Sequence, residues 1–262
     1  MTDHQADPAT RASELLRLHR DPELLTVVNV WDVISAKVVS EVGGTKALAT
    51  ASHAVAASRG YEDGERIPVE EMIGEVARIA AATPLPVSAD LEGGYGNAPE
   101  TIRKAIGVGA VGANIEDQMR PLPEAAAMMA AAVAAAEGEG VPFALNARTD
   151  AYLRGGDRDR GELLGDAVAR GRAFLDAGAT CVFVPGRLEV AEIEALVADI
   201  GQRKLSVLAG PGFPTGSELE AMGVARISFG PWTQRLALTA LLDAGADLLA
   251  GGSLPDWVRP VA

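Results

Sequence analysis

Eight short apolar runs alternate with longer amphipathic segments along this sequence of 262 residues. The apolar runs occupy residues 25–30, 47–50, 86–89, 111–115, 143–147, 181–184, 205–208 and 225–229, and the amphipathic segments occupy residues 34–42, 69–82, 98–108, 123–137, 163–177, 190–200, 217–222 and 232–250. Strands that alternate with helices pair in parallel and are joined by right-handed crossovers. Eight such units in a chain near the usual length of about 250 residues predict a (β/α)8 TIM barrel, which is an α/β fold.

An open, doubly wound sheet is the alternative architecture. Such a sheet more often carries a glycine-rich phosphate-binding turn after its first strand, and residues 30–35 contain no glycine. We therefore expect one barrel domain over residues 1–262. The stretch after the eighth strand is longer than a single barrel helix, so residues 232–262 are predicted to form a C-terminal helical tail that packs on a neighbouring subunit.

Charge and cysteine content limit the partners of the chain. The formal net charge is −13, and the sequence lacks the basic clusters that bind a nucleic acid backbone. A small anionic substrate remains compatible with an acidic protein, because a local site can still be positive. Cys181 is the only cysteine, so an intrachain disulfide cannot form and a cytoplasmic location is expected. Residues 1–10 lack the pattern of a signal peptide, and no apolar run is long enough to predict a membrane span.

Carboxylates follow two neighbouring predicted strands at the point where each strand ends. Asp90 and Glu92 follow one run, and Glu116 and Asp117 follow the next. The carboxyl ends of barrel strands meet at one rim, so these groups repel one another unless a proton or a cation lies between them. Asp90 is predicted to bind a hard divalent cation directly. Glu92 and Glu116 complete its shell directly or through water, which suits Mg²⁺.

Two further residues at strand ends are candidates for chemistry. Arg148 ends the next predicted strand, where a buried guanidinium needs an anion. A substrate carboxylate or Glu116 meets that need, and a purely structural ion pair is the alternative. His53 follows a buried strand and is either a general base or a hydrogen-bonded polar residue. Cys181 lies within an apolar run and is expected to be a small core side chain.

Other carboxylates at strand ends have a simpler interpretation. A carboxylate in that position often caps the following helix by accepting hydrogen bonds from its free N–H groups. This role is expected for Asp32, Asp117 and Asp150. For Asp90, Glu92 and Glu116, helix capping is the less economical explanation, because it would place three caps in one sector of the rim.

These residues resemble the isocitrate lyase/phosphoenolpyruvate mutase superfamily. The similarity runs in order through residues 30–32, 47–64, 89–97, 114–118 and 146–150. Two motifs carry most of it, Asp-Leu-Glu-Gly-Gly-Tyr-Gly from residue 90 and Ile-Glu-Asp from residue 115. The resemblance implies a (β/α)8 barrel that exchanges its last helix between the subunits of a dimer-of-dimers tetramer.

The same resemblance implies the components of the site. Mg²⁺, or alternatively Mn²⁺, binds near Asp90, Glu92 and Glu116 and holds a 2-oxo acid or its enolate in chelate fashion. An arginine matching Arg148 binds the carboxylate end of the substrate, and a loop matching residues 51–53 binds substrate oxygens. The residues assigned to catalysis are Arg148, Asp63 and His53, and those assigned to substrate binding are Trp31, Ala51, Ser52, His53 and Arg148.

The segment after the Glu-Asp motif departs from two branches of the superfamily. Isocitrate and methylisocitrate lyases carry a Lys-Lys-Cys-Gly-His lid there, whereas residues 118–125 contain neither cysteine nor histidine. Phosphoenolpyruvate mutase-like members place lysine and asparagine in the lid and a histidine after the sixth strand, where this chain has Pro185. Arg120 is a lesser candidate for a lid residue. The second metal-motif carboxylate is Glu92 in place of the commoner aspartate. We therefore place the chain near the mutase-like branch, without the lyase lid.

The predicted function is that of a Mg²⁺-dependent lyase or decarboxylase. Its substrate is a small 2-oxo or 2-hydroxy carboxylic acid, cleaved through a metal-stabilised enolate, because the cation supplies an electron sink without a lid acid. A C–P bond enzyme of the phosphonopyruvate type is one alternative, and a non-catalytic 2-oxo acid binding protein is another. The expected partners are the small carboxylate and further copies of the chain.

Overall fold

The strands close into a barrel in the order in which they occur along the chain. The computed structural model describes residues 7–261, so expectations for residues 1–6 and 262 lie outside the described residues. The strands are β1 (Leu25–Val30), β2 (Leu48–Thr50), β3 (Val87–Asp90), β4 (Gly112–Glu116), β5 (Ala144–Arg148), β6 (Cys181–Val184), β7 (Leu205–Leu208) and β8 (Arg226–Ser228). All neighbouring strands are parallel, and β8 pairs with β1. The predicted (β/α)8 TIM barrel is confirmed, and Cys181 is fully buried as expected.

Helices connect the strands and surround the barrel. They are α1 (Pro8–Arg20), α2 (Val33–Ser40), α3 (Ser52–Ser58), α4 (Val69–Ala81), α5 (Ala98–Gly107), α6 (Leu122–Gly138), α7 (Arg160–Asp176), α8 (Val190–Ile200), α9 (Gly216–Met222) and α10 (Trp232–Leu249). The helices α1 and α3 were not predicted. Helix α3 begins directly after β2, and this short connection places the first turn of α3 at the rim of the barrel.

Helix α1 covers the N-terminal end of the barrel. Its residues Ala12, Leu15 and Leu18 recur every third position and are at most 2% exposed. They form one apolar cluster with Val27 of β1 and Ala144 of β5. An apolar stripe of this spacing is typical of a helix that packs on a core through one face. Helix α1 therefore leaves the C-terminal end of the barrel uncovered.

Gly112 of β4 permits the close contact between α1 and the barrel. A Cβ at this position would lie 2.7 Å from Cδ2 of Leu15 and 2.8 Å from the carbonyl oxygen of Ala144. We expect Gly112→Ala to lower the free energy of unfolding by roughly 1–3 kcal/mol, because the added methyl forces a backbone or a helix to move. Thermal unfolding measures the effect as a lower Tm.

Gly74→Ala is the matched control for that substitution. Gly74 lies inside α4, and a Cβ there would meet nothing within 4 Å. Since glycine is a weak helix former, this variant should gain roughly 0.5–1 kcal/mol. Equal Tm values for Gly112→Ala and the unchanged protein would contradict the proposed packing of α1.

The strand register brings the predicted site residues to one end of the barrel. Asp90 of β3 pairs with Asn114 of β4, and Glu116 of β4 pairs with Arg148 of β5. Each of these side chains therefore lies near the carboxyl end of its strand. This is the end at which TIM barrels bind their substrates.

Helix α10 is joined to the barrel through its first turn. There, the hydroxyl of Thr233 donates to the carbonyl of Asn29, and the Gln234 amide donates to the carbonyl of Ala54. Gln234 is the one buried residue of α10, and the rest of the helix exposes leucine side chains at 236, 238, 241, 242, 248 and 249. Within residues 7–261, no helix is both long and apolar enough to cross a membrane.

Candidate active site

A cavity of about 160 Å³ opens at the C-terminal rim of the barrel. We call it the catalytic cavity. Its lining consists of Asn29, Ala51, Ser52, His53, Asp63, Asp90, Asn114, Arg148, Leu153, Phe183, Pro185, Leu208, Ser228, Gly230 and Pro231. The polar and charged groups come mainly from β1 to β5, and the apolar side chains lie mainly at the ends of β6 and β7. Six of the predicted site residues share this cavity, namely Ala51, Ser52, His53, Asp63, Asp90 and Arg148.

Asp90 is held in place by groups from both neighbouring strands. The backbone N–H and the hydroxyl of Ser52 both donate to Oδ2 of Asp90 at 2.9 Å. The Asn114 amide lies 3.4 Å from Oδ1, and the backbone N–H of Asp90 donates to the hydroxyl of Thr50 at 2.8 Å. These bonds fix the carboxylate at the edge of the cavity. Because Ser52 is the first residue of α3, Asp90 accepts an N–H from the first turn of that helix.

Glu92 lies behind Asp90 in a strained turn. Its φ is 52°, in the region that side chains other than glycine rarely adopt, and the residue is 3% exposed. The backbone N–H of Glu65 and the hydroxyl of Tyr95 donate to its two carboxylate oxygens, the hydroxyl at 3.2 Å. Burial and the nearby charge of Asp90 raise the pKa of the Glu92 carboxyl to about 7.

Arg148 lies at the centre of a cluster of two arginines and two carboxylates. Its Nη1 is 2.8 Å from Oε2 of Glu116, and its Nε donates to Oδ1 of Asp150 at 2.8 Å. Arg154 contacts the same two carboxylates, with Nη2 3.4 Å from Glu116 and Nε 2.8 Å from Asp150. The cluster is neutral in formal charge. It holds the Arg148 guanidinium against the catalytic cavity.

Burial and neighbouring charge act in opposite directions within this cluster. Burial raises the pKa of the Glu116 carboxyl to about 7, although the adjacent Arg148 lowers it. For Arg148, burial lowers the pKa, but the carboxylates of Glu116, Asp150 and Asp90 outweigh that effect and raise it. Arg148 is therefore a permanent cation facing the cavity. This is the property needed to bind a substrate carboxylate.

The helix-cap predictions are right for Asp32 and wrong for Asp117 and Asp150. Asp32 caps α2, with its carboxylate accepting from the N–H of Ser35. Asp117 instead lies buried, where it accepts from the N–H of Asp150 and from Nη1 of Arg170, both at 3.0 Å. Asp150 pairs with arginines, as described above. Both carboxylates form ion pairs with arginines, and the spacing of residues along the chain does not reveal these partners.

His53 and Asp63, which were assigned to catalysis separately, lie together at the mouth of the cavity. Nδ1 of His53 is 3.5 Å from Oδ2 of Asp63, and both side chains are about half exposed. Trp31 is half-buried and packs on the core beside α3 and α4, outside the residues that line the cavity. Its role in substrate binding stays a prediction.

The carboxylates suit a hard cation of the Mg²⁺ type. Within residues 7–261, no three Asp, Glu, His or Cys side chains converge closely enough to hold a metal ion by themselves. Glu92 accepts from a backbone N–H and Glu116 pairs with arginines, so of these three carboxylates Asp90 is the one that lines the cavity. Mg²⁺ commonly takes one or two protein carboxylates and keeps several waters. Asp90 as a direct ligand, with Glu92 and Glu116 acting through retained waters, fits this coordination pattern. Burial is the main cause of the raised pKa of both glutamates, and the charge of Asp90 adds to it in each case.

Sequence reasoning missed three polar residues of the cavity. Asn29, Asn114 and Ser228 each interrupt an apolar strand near its carboxyl end. Asn29 has a clear structural task, since its oxygen accepts from the N–H groups of Phe229 and Gly230, both at 2.7 Å. A polar residue near the carboxyl end of a buried strand was the available signal.

Comparisons with known proteins agree with this geometry. The sequence model of the phosphoenolpyruvate phosphomutase family matches residues 15–249. A candidate phosphonomutase from Burkholderia cenocepacia J2315 is 40% identical, covers 94% of this chain and 100% of that one, and superposes with a TM-score of 0.85. Oxaloacetate acetylhydrolase, solved with the inhibitor 3,3-difluorooxalacetate, is 27% identical over 97% of this chain and 92% of that one, with a TM-score of 0.86.

Curated relatives lead in the same direction. Oxaloacetate decarboxylase from Paraburkholderia xenovorans (strain LB400) is 28% identical over 94% of this chain and 85% of that protein. Three other oxaloacetate decarboxylases match over 61% of their own length. Because the family match spans every strand of the barrel, the chain belongs to the phosphoenolpyruvate phosphomutase family and is an enzyme of the phosphoenolpyruvate mutase/isocitrate lyase superfamily.

Proposed function

We propose that the enzyme is a divalent-cation-dependent lyase acting on a small 2-oxo carboxylic acid, and that it cleaves the C–C bond between the carbon next to the oxo group and the carboxylate on that carbon. Decarboxylation of an oxaloacetate-like acid is the reaction that fits best. One observation carries the proposal. The carboxylate of Asp90 on β3 and the guanidinium of Arg148 on β5 face one small cavity, with β4 between the two strands. That arrangement binds a cation and an anion side by side, which a chelating 2-oxo acid requires.

The residues of the chain divide the work between them. Arg148 binds the substrate carboxylate through its fixed guanidinium, which Glu116 and Asp150 hold in place. Ser52 fixes the orientation of Asp90. When bound at Asp90, the cation supplies a Lewis acid for the charge that develops on the 2-oxo oxygen. The bond to the leaving carboxylate breaks, carbon dioxide departs, and the electron pair remains on the substrate as an enolate.

A proton must then reach the carbon that lost the carboxylate. His53 lies at the mouth of the cavity, where its Nδ1 is 3.5 Å from Oδ2 of Asp63. His53 is the candidate donor of that proton, directly or through water. Closure of a separate acid-bearing lid is not needed for this chemistry. The segment 118–121 is instead tethered at its base, where Arg170 donates to the carbonyl of Arg120 at 2.9 Å.

Removal of the metal tests the proposal directly. We expect the enzyme to convert oxaloacetate to pyruvate and carbon dioxide with added Mg²⁺ or Mn²⁺. A chelator should abolish that conversion, and excess Mg²⁺ should restore it. Pyruvate formation is followed by a coupled assay and corrected for the uncatalysed reaction. Turnover that persists unchanged in the chelator contradicts the metal dependence.

A C–P bond reaction is the second candidate. The relative that is 40% identical is described as a candidate phosphonomutase, which supports this reading. However, Pro185 lines the cavity where the mutase-like branch carries a histidine, and residues 118–125 contain no lysine. Turnover of phosphonopyruvate in place of oxaloacetate would select the second candidate.

The proposal includes association of several copies of the chain. Helix α10 exposes Leu236, Leu241 and Leu242 by 68–74%. A groove lined by Thr26, Ile227 and Phe229 leaves part of the outer face of β1 and β8 uncovered. An apolar helix without a partner and a barrel face without its helix are complementary. Exchange of α10 between two copies would cover both the exposed leucines and the open barrel face. The proposal also includes a cytoplasmic location.

Charged substitutions on α10 test this association. We expect Leu238→Glu combined with Leu242→Glu to convert the oligomer to monomers, because burying two carboxylates in an apolar interface is costly. Light scattering after size exclusion measures the mass. Val42→Glu is the control, since Val42 is also exposed but lies in the turn after α2. A monomeric unchanged protein would contradict the exchange.

A further inference from the structure

A second cavity, of about 410 Å³, adjoins the catalytic cavity at the same rim of the barrel. We call it the annex. Leu153 and Leu208 line both spaces, so the two cavities lie side by side with these two side chains at their boundary. The annex extends from there along Pro211 and Phe213 to Trp232, and Arg187 lies on its border. Nothing in the proposed reaction of oxaloacetate uses this space.

The annex is apolar where it meets the catalytic cavity. Leu208 and Leu153 form the boundary between the two cavities, and Trp232 packs so closely on Gly210 that a Cβ there would lie 2.7 Å from the indole nitrogen. The turn from Gly210 to Phe213 is closed by a hydrogen bond of 3.1 Å between its end residues. The walls are therefore built on a defined turn and a packed aromatic ring. A preformed apolar recess of this kind suits a hydrocarbon group.

The direction of the annex follows from the layout of the catalytic cavity. Asp90 and Arg148, which are assigned to the cation and the substrate carboxylate, lie on β3 and β5. Leu208 ends β7, on the other side of the rim. A 2-oxo acid held by its carboxylate end thus directs its remaining carbons toward the apolar side. A substituent on the carbon beside the oxo group enters the annex.

We infer that the annex is a substrate subsite for an apolar substituent, so that the preferred substrate is a 2-oxo acid bearing an alkyl or similar hydrocarbon group on the carbon next to the oxo group. This inference rests on the proposed function. The catalytic cavity of about 160 Å³ is filled by the reacting acid, and the larger annex accepts the side chain. The exposed guanidinium of Arg187, which makes no hydrogen bond or ion pair within the described residues, excludes a cationic substituent.

The substrate series that tests this inference is oxaloacetate and its derivatives with a methyl, ethyl or propyl group on that carbon. Each buried methylene should raise kcat/KM by about fourfold, up to the length that the annex holds. A derivative with an aminopropyl group should lose the gain. The inference is overturned if kcat/KM stays level or falls along the alkyl series while oxaloacetate itself is turned over.

Two substitutions at Arg187 locate the effect. Arg187→Trp fills the annex, so the ratio of kcat/KM for the propyl derivative to that for oxaloacetate should fall toward one. Arg187→Gln removes the charge without filling the space, so it should keep the preference for propyl and admit the aminopropyl derivative. An unchanged ratio in Arg187→Trp contradicts the location. If no member of the series binds or reacts in the unchanged enzyme with Mg²⁺, the proposed function fails, and not only the annex.

Discussion

Replacing Asp90 by asparagine is expected to lower kcat/KM for oxaloacetate by roughly a thousandfold, since metal assistance in such a reaction provides several kcal/mol of transition-state stabilisation. Asparagine has nearly the same shape as aspartate and still accepts the hydrogen bonds from Ser52. The fold is therefore retained, and the charge that binds the cation is lost. Steady-state kinetics at several Mg²⁺ concentrations measure the effect. Saturating Mg²⁺ should not restore the rate fully.

Asp199→Asn is the matched control for this variant. Asp199 is an exposed carboxylate on α8 that pairs with Arg172, far from the rim. Its replacement should leave both kcat and KM unchanged, because exposed ion pairs contribute little. Full activity of Asp90→Asn, or an equal loss in both variants, would remove Asp90 from the site.

The second large effect is expected from Arg148→Lys. Lysine keeps the positive charge but cannot direct a planar fork at Glu116, Asp150 and a substrate carboxylate at once. Loss of the charge-assisted bonds to the substrate corresponds to about 3 kcal/mol, or roughly a hundredfold in kcat/KM. We expect most of this change in KM, because the carboxylate is bound in both the ground state and the transition state.

A stability control must accompany Arg148→Lys. Glu116 and Asp150 are 6% and 0% exposed, and removing a buried partner costs stability as well as binding. Arg154 still contacts both carboxylates in the variant, so the protein should remain folded with a lower Tm. Arg172→Lys, which alters an exposed ion pair with Asp199, should change neither Tm nor KM. A normal KM in Arg148→Lys would contradict its role in binding the substrate.

Much of the fold could be predicted because strand periodicity is strong in this chain. All eight strands lie within one residue of the predicted bounds at each end, and the barrel order follows from their alternation with helices. Helix α1 was missed, although Ala12, Leu15 and Leu18 form an amphipathic stripe after Pro8. Helix α3 has only seven residues, and such a short apolar stretch after a strand has no periodicity to distinguish it from a loop.

The site was less predictable, because partners in the folded chain decide what each carboxylate does. Strand ends correctly placed Asp90 and Arg148 at one cavity. The same reasoning offered Glu116 as one of two anions for Arg148, a pairing that the structure shows, but it could not show that Glu92 bonds the backbone of Glu65. Those contacts join residues distant in sequence and depend on register and turn geometry. The spacing of residues along the chain reveals neither the strand register nor the turn geometry.

The roles of Asp117 and Asp150 could not be predicted for the same reason. Asp117 accepts hydrogen bonds from the N–H of Asp150 and from Arg170. Asp117 and Asp150 follow different strands, and Arg170 lies in α7. A cap and a buried ion pair look alike in sequence, since both place an aspartate before a turn. Only the cation opposite the carboxylate distinguishes them.

The most direct test of the cation site at Asp90 and the anion site at Arg148 is calorimetric titration of oxalate into the enzyme with and without Mg²⁺. Oxalate is a planar dicarboxylate that resembles the enolate of a 2-oxo acid. We predict strong binding with Mg²⁺, little binding without it, and loss of the Mg²⁺-dependent binding in Asp90→Asn. Oxalate that binds equally well with and without Mg²⁺, or that binds Asp90→Asn as it binds the unchanged enzyme, would contradict the account.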